Sequence, residues 1–390
     1  MEVLLGLLPL VLGLQLLIAL VYVPSALRGN ADFRNCYSTG ILLRSGQGDL
    51  LYDYEAQKHL QNEFISQLPN AMPYVHPPYE ALLFVPFSWL TYRNAYFGWF
   101  GLGVLCLLFC YRILYKRMWH LREAWKWLPL LFFIGFVPVT VAMMQGQDSL
   151  ITLVLLSAAL VNLESDNDLA AGFLAGLAAY KFQLLLPIAV LFFLWRNWRF
   201  VSGICISAGM AVAASAWIVG LENLLGYPGY VREASVKFAS LMPVARMPNF
   251  RGIVSLFHFS PRLSVACVSV LSVAILAIAA WYGRRLAVRW QFSMAITAAT
   301  LVGYHVMTHD LAILLIPMAI ILSQRNIRGL WSITAVWLST GLCFFAHDPL
   351  VALAVLALFV IQVKGSQREF KTRPPAEPTK GYNRPVQVSC

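Results

Sequence analysis

Residues 31–40 read ADFRNCYSTG and begin a polar segment that continues through GDLLYDYEAQ at 48–57 and PYVHPPYEALLF at 73–84. This segment follows a long apolar run within residues 1–23, in which only Glu2 is charged. A membrane-spanning helix over that run would leave the Asp32 carboxylate at the membrane surface. We therefore interpret the chain as a membrane protein organised around a polar loop that begins near Asp32.

The composition is that of an integral membrane protein. Hydrophobic residues make up 59% of the chain, and the mean hydropathy is +0.67. Only 12% of the residues are charged, which is about half the usual share in a soluble domain. The seven cysteines form no CxxC or CxxH pair, so the sequence indicates neither a disulfide framework nor a zinc site. The basic residues lie in short clusters between apolar runs, which membrane topology explains without a nucleic acid partner.

Hydropathy predicts an all-α protein with about twelve membrane spans. No basic residue precedes the first run, so we interpret it as an uncleaved span and not as a signal peptide. The apolar residues 81–90 are too few to cross and predict a short helix at the membrane surface. The remaining predicted spans are 95–114, 128–143, 149–163, 169–182, 184–195, 201–220, 263–282, 291–304, 311–323, 330–345 and 349–363.

The distribution of charge predicts which connections face the cytoplasm. One alternating set of connections, together with the C-terminal tail, carries the whole formal net charge of +11, and the other set is balanced. By the positive-inside rule both termini are cytoplasmic. The transmembrane domain would cover residues 1–363, with extracytoplasmic loops at 24–93 and 221–262. The basic, proline-rich tail 364–390 is expected to be disordered.

Ionisable and polar residues at the predicted outer ends of the spans are the main functional candidates, because such groups are costly at membrane depth. A single outward-facing polar cavity would collect them. The alternative is that they only cap helices or extend toward the interface. The candidates in and between the spans are Asp32, Arg34, His76, Glu80, Gln147, Asp148, Lys181, His305, His309 and Asp310.

Three of these residues allow two interpretations each. Asp32 is either a helix cap or a reactive carboxylate, and its neighbour Arg34 could keep it ionised or bind a phosphate. Lys181, in GLAAYKFQLLLP, either extends to the interface or pairs with a phosphate.

Two further groups point to anion binding. His305 and His309 are four residues apart and would share a face if their segment is helical. That spacing also suits a metal, but no third ligand is evident, so a phosphate or acceptor contact is favoured over zinc. In the second outer loop, Arg246, Asn249 and Arg251 either face anionic lipid or hold a lipid phosphate.

Several motifs, taken in order, resemble glycosyltransferase family 87, which includes polyprenol-phosphate-mannose-dependent mannosyltransferases. The resemblance covers roughly residues 20 to 330. The motifs are ADF at 31–33, LYD at 51–53, HPPYEALLFVPFSWL from His76, the GQ turn at 146–147, AGFLAGLAAYK ending at Lys181, and YHVMTHD at 304–310.

This resemblance implies a GT-C fold, which is a multispan bundle with an extracytoplasmic loop of short surface helices. It also implies a polyprenyl-phosphate sugar as donor, a lipid or glycan as acceptor, no cofactor and a bacterial inner membrane location. The sugar would be a hexose, with mannose favoured by family association alone. Asp32 matches the family's catalytic base for an inverting displacement.

The same resemblance suggests roles for the other candidates. The groups expected to stabilise the donor phosphate are Arg34, Lys181, Arg246 and Arg251. The groups expected to line the donor or acceptor side are His76, His309 and Asp310. Many GT-C enzymes carry a second acid near the base, whereas Arg34 stands two residues after Asp32 here, which argues against a bridging metal.

A lipid or solute transporter is the main alternative, because twelve spans and buried polar residues would also fit that class. Transporters usually place polar groups near the bilayer midplane and often contain inverted repeats. Here the polar residues cluster at predicted outer ends, and no repeat is evident. A non-catalytic partner protein with the same fold is a third possibility.

Overall fold

The computed structural model describes residues 2–238, 243–324, 327–345 and 347–372. The described residues are 82% helical and contain no strand. Their α-helices are α1 Glu2–Ala26, α2 Phe33–Arg44, α3 Tyr54–Phe64, α4 Tyr92–Leu114, α5 Trp119–Ala124, α6 Leu128–Ile134, α7 Val137–Gln145, α8 Ser149–Glu164, α9 Asp168–Leu177, α10 Phe182–Leu194, α11 Trp198–Lys237, α12 Phe250–Ser255, α13 Pro261–Gly283, α14 Val288–Val302, α15 Leu315–Leu322, α16 Ile327–Ser339 and α17 Val351–Thr372. Short 3₁₀ helices lie at Gly48–Leu50, Pro78–Trp89, Tyr115–Met118, Ala179–Lys181, Val244–Arg246, Thr308–Leu314, Thr340–Phe345 and Asp348–Leu350.

Fewer helices are long enough to cross a membrane than the sequence predicts. Within the described ranges four helical stretches qualify, Gly6–Ala26, Tyr92–Ala124, Trp198–Lys237 and Pro261–Gly283, and two bent pairs raise the number to six. The all-α membrane class agrees with the prediction, but the count of about twelve spans is not confirmed. Many of the predicted spans are short or broken helices in the structure. Apolar composition did not predict this, because it does not indicate where a helix ends.

The bent pairs show how the breaks arise. Helices α6 and α7 meet at an angle of 49°, where Pro138 in the first turn of α7 cannot supply a backbone N–H. The buried Gln15 side chain of α1 donates to Gly135 O at 2.8 Å and satisfies a carbonyl in that break. Likewise α9 and Ala179–Leu194 bend by 71° and replace the two spans predicted at 169–182 and 184–195.

The outer surface of the bundle is apolar. Leu10 and Leu16 on α1, and Val265 and Val270 on α13, are each more than 60% exposed. Exposed aliphatic side chains along a helix long enough to cross a bilayer indicate contact with lipid.

The two ends of the bundle are chemically different. At one end a groove is lined by residues from three of the predicted cytoplasmic connections, at 163–168, 195–199 and 286–291, and Arg117 pairs with Glu164. At the other end α2, α3 and the 3₁₀ helix Pro78–Trp89 pack against the 145–149 turn and against α11. Connections predicted to share a side therefore do share an end of the bundle.

Helix α11 continues beyond its predicted end at residue 220. It is kinked at Gly220 and then lies over the first outer loop as far as Lys237. Tyr227 and Tyr230 donate their hydroxyl protons to Val75 O and Tyr74 O, at 3.0 and 3.1 Å.

The C-terminal segment differs in part from the expectation. Helix α17 extends to Thr372, so the first residues of the tail expected to be disordered are helical. Residues 373–390 lie outside the described part of the chain.

Candidate functional site

Asp32 stands between α1 and α2, and its carboxylate is half-buried. It occupies the N-cap position of α2, yet its side chain makes no capping hydrogen bond. Gln147 instead donates from Nε2 to Asp32 Oδ2 at 2.5 Å, and Asp32 N donates to Gln145 Oε1 at 3.3 Å. The carboxylate is therefore oriented by the 145–149 turn and is not used to end a helix.

Gly146 determines how that turn approaches Asp32. It ends α7 in the left-handed conformation, with φ +67°. A Cβ at this position would lie 2.6 Å from Phe33 Cβ, so only glycine allows this close contact without strain.

The next residue of the turn joins a buried ionic network. Asp148 Oδ1 lies 2.9 Å from Lys181 Nζ, and Asp310 Oδ1 lies 2.8 Å from the same nitrogen. All three side chains are at most 3% exposed. The Lys181 ammonium is thus enclosed by two carboxylates from different parts of the chain.

His309 is attached to the same network. Its Nδ1 lies 3.0 Å from Ser149 Oγ and 3.4 Å from Asp310 Oδ1. No hydrogen bond to His309 Nε2 is found in the described part of the chain. Held in this way, the imidazole presents its second nitrogen to a ligand.

His76 and Glu80 form a second histidine–carboxylate pair at 3.0 Å. Burial raises the pKa of Glu80 to about 7, nearby Asp148 adds to the rise, and His76 opposes it. Burial disfavours charge on His76, but Glu80 and Asp148 outweigh that effect and raise its pKa. The Asp148 carboxylate thus acts on Glu80 as a nearby negative charge, which favours the protonated form of Glu80.

Cys36, one turn after Asp32 on α2, shows that these groups converge. Burial raises the pKa of its thiol. The negative charges of Glu80, Asp148 and Asp32 raise that pKa further, and the positive charge of Lys181 opposes the rise. Within the described ranges, no three His, Cys, Asp or Glu side chains are placed to hold a metal ion.

Arg34 lies apart from these groups, although it is only two residues from Asp32. It is fully buried, and its guanidinium donates to Gln61 Oε1, Asn62 Oδ1, and both Oγ and O of Ser66. These bonds fasten α2 to α3 and to the segment after it.

The basic group of the second outer loop is also engaged. Arg246 pairs with Asp348 at 2.7 Å, and Arg251 stacks on the Tyr304 ring and donates to Tyr304 O. Asn249 is buried and caps α12.

His305 and His309 do not share a helix face, because residues 303–307 are not helical and the 3₁₀ helix begins at Thr308. Burial lowers the pKa of His305 to about 4, so its ring is neutral near pH 7.

Sequence reasoning missed Ser149, which holds His309. Its position directly after Asp148 and at the first residue of a span is the only signal that could have identified it.

Comparison with known proteins identifies one family. The sequence model of glycosyltransferase family 87 matches residues 74–317, well over half of the chain. The matched region includes most of the site residues named above. Those outside it are Asp32, Phe33, Arg34, Cys36, Gln61, Asn62, Ser66 and Asp348. No curated protein and no solved structure matches the chain significantly.

Proposed function

The chain belongs to glycosyltransferase family 87 and is a membrane glycosyltransferase, and we propose that Asp32 is its catalytic base. In this proposal a hexose, with mannose favoured, moves from a polyprenyl-phosphate donor to a lipid or glycan hydroxyl. The observation that carries the proposal is the state of the Asp32 carboxylate. It is partly buried, makes no capping bond, and is oriented by Gln147 beside a cluster of buried charged groups.

A general base needs a free lone pair directed at the hydroxyl proton. Gln147 occupies Asp32 Oδ2, and no described residue donates to Oδ1. The acceptor hydroxyl would give its proton to Oδ1 while its oxygen attacks the anomeric carbon from the face opposite the phosphate. The lipid phosphate leaves with the bonding electron pair, so the configuration at the anomeric carbon inverts.

The departing phosphate needs hydrogen-bond donors. Arg34 donates to three protein residues, and Lys181 is enclosed by two carboxylates, so we assign this role to His76 and His309. Each has its Nδ1 held by a neighbouring side chain and its Nε2 without a described partner. An imidazole N–H at Nε2 would donate a hydrogen bond to a phosphate oxygen.

The GT-C architecture and the cellular setting belong to the same proposal. The end of the bundle that contains Asp32 would face outward from a bacterial inner membrane, with both termini in the cytoplasm. The gathering of basic clusters at the opposite end supports this orientation. Cysteines introduced at Arg28 and Asp53 should react with an impermeant reagent from outside intact cells. A cysteine introduced at Arg117 should react only after permeabilisation. The reverse labelling would overturn the proposed orientation.

The test of function is a transfer assay with purified protein in nanodiscs, a panel of short-chain polyprenyl-phosphate sugars, and membrane lipid extract as acceptor. Asp32→Asn should lower the rate by about 10²–10⁴-fold with unchanged thermal stability. Asp53→Asn is the matched control, because Asp53 lies in the same loop and only caps α3, a role that asparagine also fills. Full activity of Asp32→Asn would refute the assignment, and no transfer by the wild type with any donor would favour a transporter.

A further inference from the structure

Lys181 is the most deeply enclosed cation of the site, and its surroundings do not suit the phosphate-binding role expected from sequence. We infer that Lys181 is a positioning residue that locks the 145–149 turn to the 3₁₀ helix Thr308–Leu314. This inference rests on the proposed function, since it assigns to Lys181 the geometry of Asp32 and His309. It also makes a structural claim that can be tested without turnover.

The coordination of the ammonium group argues against a phosphate ligand. Lys181 is 2% exposed, and its Nζ lies 2.9 Å from Asp148 Oδ1 and 2.8 Å from Asp310 Oδ1. Two carboxylates already exceed the single positive charge. A phosphate approaching the same nitrogen would meet net negative charge and would have to displace a buried carboxylate.

The first arm of the network leads to the base. Asp148 follows directly after Gln147, whose amide holds Asp32 Oδ2. Consecutive Cα atoms are about 3.8 Å apart, so a displacement of Asp148 moves the Gln147 amide as well. Asp32 N also bonds to Gln145 of this turn, so the turn contacts both the backbone and the carboxylate of the base.

The second arm leads to the histidine. Asp310 accepts from Met307 N at 2.9 Å through Oδ2 and reaches Lys181 through Oδ1. This contact fixes the start of the 3₁₀ helix, where His309 is located. Ser149 completes the link, because its hydroxyl contacts His309 Nδ1. Lys181 therefore fixes the distance between Asp32, the proposed base, and His309, the proposed hydrogen-bond donor to the phosphate.

Removing only the lysine should disrupt this arrangement through repulsion between two buried carboxylates. Neutralising all three groups removes the repulsion and keeps side chains of similar size. The informative set is therefore Lys181→Met, Lys181→Arg, and the triple variant Lys181→Met/Asp148→Asn/Asp310→Asn. Lys58→Met on α3 is the control, because that lysine lies outside the network.

Two measurements separate positioning from phosphate binding. Lys181→Met should lower kcat by about 100-fold, with the Kd for the donor, measured in an Asp32→Asn background, changed less than about threefold. The triple variant should recover at least about tenfold of the lost kcat, and Lys181→Arg should retain more activity than Lys181→Met. A donor Kd that rises as much as kcat/KM falls, with no recovery in the triple variant, would overturn the inference.

A structural readout decides the matter even if no donor is turned over. Cys36 is buried beside the network, whereas Cys110 is buried on α4 away from it. Alkylation followed by mass spectrometry should show Cys36 reacting at least about tenfold faster in Lys181→Met, with the rate at Cys110 unchanged. The triple variant should restore slow alkylation. Equal Cys36 rates in all variants would show that Lys181 does not hold the turn, independently of whether the transfer assay succeeds.

Discussion

Asp32 and Arg34 stand two residues apart at the beginning of α2 and have opposite surroundings. Asp32 is partly buried and receives one side-chain hydrogen bond, from Gln147. Arg34 is completely buried, and its three nitrogens donate to three residues of one segment. Residues at i and i+2 point about 200° apart around a helix, so α2 directs one charge toward the site and the other toward the scaffold.

The difference shows how the two kinds of charged group can be told apart. A charged side chain whose hydrogen-bonding groups are mostly used by the protein is structural, whereas one with unused groups is available to a substrate. A guanidinium has five N–H donors, and Arg34 donates to amide, hydroxyl and carbonyl oxygens of α3 and of the segment that follows it. The Asp32 carboxylate has several acceptor positions and uses one of them. Lys181 resembles Arg34 in this respect, although it lies beside the site and not behind it.

Arg34→Met should therefore produce the largest loss of stability. It leaves the side chains of Gln61, Asn62 and Ser66 without their donor, at a cost of about 1–3 kcal/mol for each buried polar group left unpaired. Arg34→Lys should recover only part of this, because an ammonium cannot reproduce the planar fork. Thermal unfolding in detergent measures the effect. A stable variant with weakened donor binding would instead place Arg34 in the substrate site.

The sequence predicted that several polar side chains converge, but it did not predict which groups they contact. Glu80, Asp148, Lys181 and Asp310 were expected to converge because they lie at span ends predicted to share a side of the membrane, and the structure brings them together. Which anion Lys181 contacts depends on distances between elements that are far apart in sequence. Pattern alone therefore could not separate a phosphate from two aspartates.

The same reasoning explains what was missed in the fold. Apolar runs correctly located α1, α4 and α13, because these helices are long and face lipid. Hydropathy averages over a window, so the predicted span 128–143 passed through the break before Pro138 without a signal. The span predicted at 201–220 ended where α11 kinks at Gly220, but hydropathy did not predict that the helix continues beyond the kink.

Gly146→Ala should have the next largest effect, because it alters the contact that brings the 145–149 turn to Asp32. The methyl group would collide with Phe33 in a left-handed conformation, at a cost of about 1–3 kcal/mol. We expect lower stability and a loss of transfer that exceeds the loss of stability. Gly101→Ala on α4 is the control, since a Cβ there meets nothing within 4 Å. Equal behaviour of the two variants would contradict the role of the turn.

Gln147→Leu tests the single bond that distinguishes Asp32 from Arg34. It removes the Nε2 donor at 2.5 Å and frees the carboxylate to rotate, with little change in packed volume. A hydrogen bond to a charged group contributes about 1.5–3 kcal/mol to stability, so the loss of stability should not exceed this. The kcat should fall by about 10–100-fold, because the carboxylate is no longer oriented. Gln67→Leu, in the same loop and distant from Asp32, should be neutral. An unchanged kcat in Gln147→Leu would show that Asp32 needs no orientation by the turn.

Glu80→Gln should have the smallest effect, which is a change in how the stability of the protein depends on pH. Burial raises the pKa of Glu80 from 4.5 to about 7, so the folded protein binds its proton more tightly than the unfolded chain does. The stability that this proton contributes is complete below the pKa of Glu80 in the unfolded chain and is lost as pH rises through 7. The raised pKa of His76 changes stability in the same direction. Unfolding free energy should fall by about 1 kcal/mol between pH 6 and 8 from Glu80 alone. Thermal unfolding across this range should flatten in Glu80→Gln but not in Glu55→Gln, whose side chain is exposed on α3. A slope that is the same in the wild type and in Glu80→Gln would show that the buried Glu80 does not bind its proton more tightly in the folded protein than in the unfolded chain.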